Sequence, residues 1–466
     1  MSADGKTSKR KAGREVKAIK WAVRHPGVMA VPSVATATTT TLGAETVLTC
    51  GGWVAGGLGI VCGAWYRGHP DTFDRFAAPV MRAWRRRWVT YVGLRWKRAM
   101  EDCHLFTTDR RTGEDRFPRL LRVRSYSPSI DTLFVKMARG QALSHFEARV
   151  EELRVALKAE RVAIEKVKPR VIGLIVQRSE PFTEVIPAPD MPGEVDAVDL
   201  ARVYIGDTED DTDCRISVEG DHVFIAGATG AGKNSIPLSA LRAIAPMIRA
   251  GLVRLWLADP KQSEFAALRP IAYRYSAVVE TDDEDEYSIV SLISEYRAEM
   301  EERQRQMAAA GQRSFTTSEE TPLDLLILDE IGAITAYSDI ARSVRKDLAV
   351  IITQGRAAGK RVWGLVQEPT KDTVPIRDLF TLRICLRVTA SSQVDMVLGE
   401  NARLRGALAD EIPNIPDTAG IGYVMRQRSR VPQRIRAAYV DDTELAELVE
   451  FVRPGLTPDS HLKVVA

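Results

Sequence analysis

His222 to Pro237 reads HVFIAGATGAGKNSIP, with glycines and a lysine at the spacing G-x-x-x-x-G-K. That spacing suits chemistry on a phosphate chain. Gly227, Gly230 and Gly232 leave room for a tight loop whose backbone N–H groups surround phosphate oxygens. A helix starting just behind the loop adds partial positive charge, and Lys233 reaches the β- and γ-phosphates. Gly227, Ala228, Thr229, Gly230, Ala231, Gly232, Lys233, Asn234 and Ser235 are therefore the candidate ATP-binding loop. Further along, LLILDE sets four apolar residues before Asp329 and Glu330. A strand ending in this way presents one carboxylate to Mg2+ and a second to the attacking water. Alone, the loop pattern occurs by chance and the acidic pair reads as the solvated end of a core strand. Together, with another strand pattern between them, they imply ATP hydrolysis.

The slot after Lys233, where a Ser or Thr hydroxyl ordinarily meets Mg2+, holds Asn234. An amide oxygen is also a hard ligand, and Mg2+ keeps several waters and takes few protein ligands. Ser235 stands beside it, so Asn234, Ser235 and Asp329 form the expected metal side of the site. Pro237 lacks an N–H donor, a small loss within a first helical turn, where those groups have no intrahelical partner. The site reads as adapted and active.

These residues need a frame. From about Leu200, buried apolar strands alternate with helical patterns, which predicts an α/β unit with a mainly parallel sheet. Its candidate strands are HVFIAG, LVRLWLAD, LDLLILDE, KRVWGLVQ and LRICLRV, and such sheets bind ligands at the carboxyl ends of their strands. Residues 106–185 predict a small α/β domain of β-α-β type. RLLRVRSYS, DTLFVKMA and VKPRVIGLIVQR read as its strands, and ALSHFEARVEELRVALKAE as its helix. Residues 186–199 read as a Pro-rich linker into the unit 200–466.

At 466 residues the chain is long enough for two to four units, and 45% hydrophobic with 27% charged residues describes a folded protein. The net charge of +3 hides an asymmetry. Residues 1–98 hold 17 Lys/Arg against 5 Asp/Glu, a net of +12, which leaves −9 for residues 99–466. A basic front on an acidic body points to a surface contact made by the front. Cys50, Cys62, Cys103, Cys214 and Cys385 form no C-x-x-C pair and no metal spacing, and read as reduced thiols.

After a basic N-terminus, 1–25, residues 26–66 carry one formal charge, Glu45. Two apolar arms flank Gly43–Glu45. The second has 21 residues, roughly 31 Å as a helix, which matches the hydrocarbon core. It is too long for a cleaved signal. Basic residues on both sides place both termini in the cytoplasm, so a transmembrane hairpin of the cell membrane is expected over 26–66. A buried Gly/Ala-rich helical pair is the plainer alternative. Residues 67–105 read as a basic juxtamembrane helix. Trp84, Trp88, Tyr91 and Trp96 interleave there with arginines and lysines, a composition that favours anionic membrane lipid over nucleic acid.

Taken in order, HVFIAGATGAGKNS, ADPKQSEF, LDLLILDE, GRAAGKRVWGLVQEP and IRDLFTLRICLRV resemble the FtsK/SpoIIIE family of DNA translocases over about residues 200–425. The short chain and basic front look most like the TraB/TraSA-type transfer proteins of actinobacterial conjugative elements. The resemblance implies a RecA-like motor that moves double-stranded DNA, and a homo-hexamer around the duplex. It implies roles for Asp259, Pro260 and Lys261 beside the nucleotide, for Gln367 as the γ-phosphate sensor, and for Arg383 as a neighbour's arginine finger, with Arg356 and Arg387 as rivals. After Met425 only 41 residues remain, too few for the winged-helix module of larger members, so sequence-specific loading is not expected. Two other readings stay open: a protein-secretion motor of the same superfamily, and a membrane scaffold that binds nucleotide without turnover.

Overall fold

A computed structural model of the chain describes residues 44–109, 111–125, 127–262, 264–281, 283, 286–336, 341–370, 372–426 and 431–456. The chain divides at Pro79/Val80 into two units. In the first, helix Ala44–Gly68 leads into helix Pro70–Arg85, which crosses the boundary. Phe73 packs edge-on against Trp65 and Tyr66, and Trp65 Nε1 donates to Thr72 Oγ1 over 2.8 Å.

The expected transmembrane hairpin is not borne out. Its first arm, 26–42, lies outside the described residues. Its second forms helix Ala44–Gly68, yet among the described residues no helix is long and apolar enough to cross a membrane. Gly56, Gly57, Gly59 and Gly63 add length to that helix without apolar side-chain surface.

In the second unit, β1 (Thr107–Thr108) and β2 (Asp115–Arg116) pair as a short ribbon. They precede a four-stranded antiparallel sheet of β3 (Arg119–Arg124), β4 (Ile130–Lys136), β5 (Arg161–Lys168) and β6 (Val171–Gln177), in the order β3-β4-β6-β5. The predicted β-α-β arrangement becomes two hairpins joined by helices Leu143–Glu147 and Val150–Leu157. The strand missing from the sequence reading is β5, whose first half is buried and second half exposed, so it shows no clean period. Helix Gly93–Asp102 closes the same core with Trp96, Ala99 and Met100. Tyr91 and Trp96, expected among lipid headgroups, are instead buried: Trp96 Nε1 donates to Pro118 O over 2.8 Å and Tyr91 Oη to Asp131 over 2.6 Å. Trp84 and Trp88 are exposed.

The large sheet has ten strands. β7 (Val203–Thr208) and β8 (Asp213–Ile216) form one edge, followed in the chain by β9 (Val223–Ala226), β10 (Val253–Ala258), β11 (Arg274–Ser276), β12 (Leu323–Leu328), β13 (Lys360–Val366), β14 (Leu382–Leu386), β15 (Ile421–Met425) and β16 (Gln433–Ala437). The order is β11-β10-β12-β13-β9-β14-β15-β16-β7-β8. β9 to β14 are parallel, as expected, and β15, β16, β7 and β8 add antiparallel strands. Every residue of β12 and β13 is buried, which strands covered on both faces require. Val223 and Ile225 pack with helix Ser235–Ala243 and the C-terminal helix Asp442–Val452; Phe224 and Ala226 face helices Ile289–Ala309 and Ala341–Gln354. At the amino end of β12, the fully buried Asp324 accepts hydrogen bonds from Arg254, Arg303 and Trp256, and pairs with Lys360 at 2.9 Å. Burial opposes its charge, but Lys360, Arg254 and Arg303 outweigh that and hold its pKa at about 2. Cys62, Cys103, Cys214 and Cys385 are free thiols.

Candidate functional site

The loop 227–235 joins the carboxyl end of β9 to helix Ser235–Ala243. Gly230 and Gly232 have φ of +74° and +81°, where a side chain is strained. A Cβ on Gly232 would also lie 2.6 Å from the Gly420 nitrogen. Neighbouring strands tie the loop's start: the Gly227 N–H donates to Val366 O (3.1 Å) and the Ala228 N–H to Arg387 O (2.7 Å). Lys233 is buried, its Nζ donating to Gly227 O at 2.9 Å and Ala228 O at 3.4 Å. An ammonium inside the loop places positive charge where phosphate oxygens would sit.

Asn234 is the N-cap of the helix, and its side chain caps nothing. Its Oδ1 is buried and meets no protein donor. A buried oxygen left without a donor at the metal position fits a hard cation or one of its waters. Pro237 is the third helical residue, and the first helical bond runs from the Leu238 N–H to Asn234 O at 3.0 Å, so the proline removes no intrahelical bond. Ser235 opens the helix beside Asn234, its N–H donating to Gly232 O.

Asp329 and Glu330 follow β12, two strands from the loop, with β13 between them. Asp329 is buried, and that burial, reinforced by Asp259 and Glu330, pushes its pKa up to about 6 against the pull of Lys261 and Lys233. Its carboxylate, the Asn234 amide oxygen and the Ser235 hydroxyl are all hard oxygen donors, the type of ligand that Mg2+ takes. Among the described residues no group of three or more His, Cys, Asp or Glu could hold a metal ion.

Glu330 has φ +49° and ψ +60°, a left-handed conformation that is strained for a non-glycine residue. Two partners fix its carboxylate: Lys261 Nζ at 2.7 Å on Oε2 and the Gln367 N–H at 3.1 Å on Oε1. Gln367, just past β13, accepts from Thr229 Oγ1 through Oε1 at 3.1 Å. A continuous polar chain therefore runs Thr229–Gln367–Glu330–Lys261, from the loop's tip to the end of β10. The sequence pointed to each member separately; that Lys261 holds Glu330 and that Thr229 meets Gln367 carried no local signal.

The arginines separate. Arg387, at the end of β14, is buried and donates through Nη2 to Thr229 O at 2.6 Å, so it braces its own loop. Arg383 lies earlier on β14, paired with Phe224 of β9, and its guanidinium stands 3.6 Å from Asp378. Arg356 precedes β13, at the opposite end of the sheet from Gln367, and its carbonyl accepts from Arg361.

A phosphate loop, a strand-end acidic pair and a polar sensor at the carboxyl ends of one parallel sheet define a P-loop ATPase motor fold. Residues 195–417 match the FtsK/SpoIIIE family, and the chain carries an ATPase domain of that family. Among curated proteins it is similar to the DNA translocase FtsK of Corynebacterium efficiens, 23% identical over 359 residues, covering 72% of this chain and 36% of that protein. It is similar also to the DNA translocase FtsK of Tropheryma whipplei, 24% identical over 259 residues, covering 52% of this chain and 33% of that protein. The chain thus spans about a third of the length of these relatives. Among solved structures it is similar to the pCW3 conjugation coupling protein TcpA, at 17% identity and a TM-score of 0.47, covering 76% of this chain and 98% of that one. The cytoplasmic domain of the type VII secretion ATPase EccC of Thermomonospora curvata is similar at 20% identity and a TM-score of 0.43, covering 59% and 32%.

Proposed function

We propose that this protein is an ATP-driven motor that moves double-stranded DNA, in intercellular, conjugative transfer. The observation that carries the reading is the convergence of Lys233, Asp329, Glu330 and Gln367 at the carboxyl ends of β9, β12 and β13. In this reading the loop Gly227–Ser235 holds ATP, and Lys233 neutralises its phosphates. Asn234, Ser235 and Asp329 hold Mg2+, which supplies charge neutralisation at the phosphates. Glu330 orients and deprotonates the attacking water, and Gln367 reports the state of the γ-phosphate to the rest of the sheet.

Arg383 serves a neighbour's site as arginine finger in a homo-hexamer around the duplex. Membrane attachment belongs to the same proposal, with both termini and the motor on the cytoplasmic side. It is supported by the net charge of the front and by the exposed Trp53, Ile60, Val61, Phe76, Val80 and Trp84 on its helices. The conjugative role is supported by the basic front that precedes the motor. The test is displacement of a third strand from a triplex on linear duplex DNA. Mg2+ and ATP should drive displacement, and a non-hydrolysable analogue should not; displacement without hydrolysis would overturn the motor reading. Recovery of the full chain in the soluble fraction of cells would overturn the attachment.

A further inference from the structure

The turn at Thr90 and Tyr91, helix Gly93–Asp102, the end of helix Val150–Leu157 and Arg178 enclose a pocket of about 460 Å3. Four cations line it, Arg95, Arg98, Lys158 and Arg178, against one carboxylate, Asp102. Two of the cations are fixed by neighbours. Arg178 donates through Nε to Asp131 at 3.0 Å and through Nη2 to Tyr91 Oη at 2.7 Å. Asp131 is fully buried and also accepts from Arg86 at 3.1 Å, so a single carboxylate serves two guanidiniums. Arg95 donates to Val89 O at 3.0 Å. Arg98 and Lys158 have no side-chain partner among the described residues. Lys158 stands at φ +55° at its helix end, a place that glycine or asparagine usually takes. The pocket therefore holds more positive charge than its own groups or Asp131 neutralise.

We propose that this pocket binds the phosphate of an anionic lipid headgroup. Guanidinium and ammonium groups converging on one cavity suit phosphate oxygens. The occupant is indicated by charge, and by the exposed Trp88, Val89 and Leu94 in the segment leading into the pocket, an apolar and basic mixture suited to a membrane interface. The inference rests on the membrane attachment proposed above, and names the group that the front recognises.

The experiment is flotation of the full chain with phosphatidylcholine vesicles, with and without phosphatidylglycerol. Arg98→Glu with Lys158→Glu should weaken binding to the anionic vesicles at least about 25-fold, about fivefold for each cation lost. Arg85→Glu with Lys97→Glu, outside the pocket, should weaken it less. Equal losses in the two pairs would reveal diffuse surface charge and overturn the pocket, as would unchanged flotation of the pocket variant. Flotation of the wild type with neither vesicle would refute the attachment as well. Protection of Lys158 from acylation by inorganic phosphate, with flotation independent of the pocket, would assign a soluble phosphate and overturn the lipid. Loss of duplex-DNA binding in place of flotation would do the same in favour of nucleic acid.

Discussion

Replacing Lys261 with Ala should move the acid limb of ATP hydrolysis to higher pH. Asp329 must be ionised to hold Mg2+, and burial sets its pKa near 6 in the unliganded protein. The acid limb of kcat/KM reports groups of the free enzyme, so in the wild type it should fall near pH 6, with activity lost as the pH drops through that value. Lys261 is the strongest of the charges pulling this pKa down, and it also pairs with Glu330. A cation within a few ångströms moves a carboxyl by about 1–3 units. Lys261 is 37% exposed, so the low end applies: a rise of about one unit, or about 1.4 kcal/mol. In Lys261→Ala the limb should therefore appear near pH 7, while Lys261→Arg should keep it near pH 6. The assay is steady-state hydrolysis from pH 5 to 9 at fixed free Mg2+. A wild-type limb near pH 4, or the same limb in all three proteins, would refute the electrostatics argued here.

Asn234→Ser should change the Mg2+ requirement by less than about tenfold, whereas Asn234→Leu, without the oxygen, should raise it at least about tenfold, the scale of one polar contact; Mg2+ titration of the ATPase rate measures both. Asp324→Asn should cost about 3–5 kcal/mol in urea unfolding, because Arg254, Arg303 and Lys360 lose their buried counter-charge. Because folding lowers the Asp324 pKa, its stabilisation is fully present above the unfolded value of about 3.9 and is lost as the pH falls through about 2. Deleting residues 1–79 should give a folded, active ATPase, since Tyr91, Trp96 and Met100 stay with their core; a protein that aggregates or hydrolyses nothing would show that the front is part of the motor.

The parallel half of the large sheet was legible because its signals are local. Apolar runs such as LDLLIL and KRVWGLV admit few other structures, and each ends at a residue able to act on phosphate. Glycines with positive φ at 230 and 232 likewise write the loop into the sequence. The antiparallel strands β7, β8 and β16 were not legible, since short half-polar segments such as DCRI gain their strand character from a partner far along the chain. In the site, the sequence pointed to Lys261, Glu330, Gln367 and Arg387 but not to their connections, which depend on strand order. At the front, an alternation of aromatic and basic residues looked uniform, yet Tyr91 and Trp96 found buried hydrogen-bond acceptors and Trp84 did not. Periodicity alone cannot distinguish an aromatic that faces a core from one that faces outward.

The central claim is that this loop and acidic pair turn over ATP in response to duplex DNA. It is tested most directly by the rate of Mg2+-dependent ATP hydrolysis, with and without linear duplex DNA, for the wild type, Lys233→Ala and Glu330→Gln, alongside nucleotide binding by each. Wild-type hydrolysis should rise with duplex DNA; Lys233→Ala should lose turnover together with tight ATP binding; Glu330→Gln should bind ATP and release no phosphate above background. Wild-type protein silent with Mg2+ and DNA, or either variant turning over at the wild-type rate, would contradict the account.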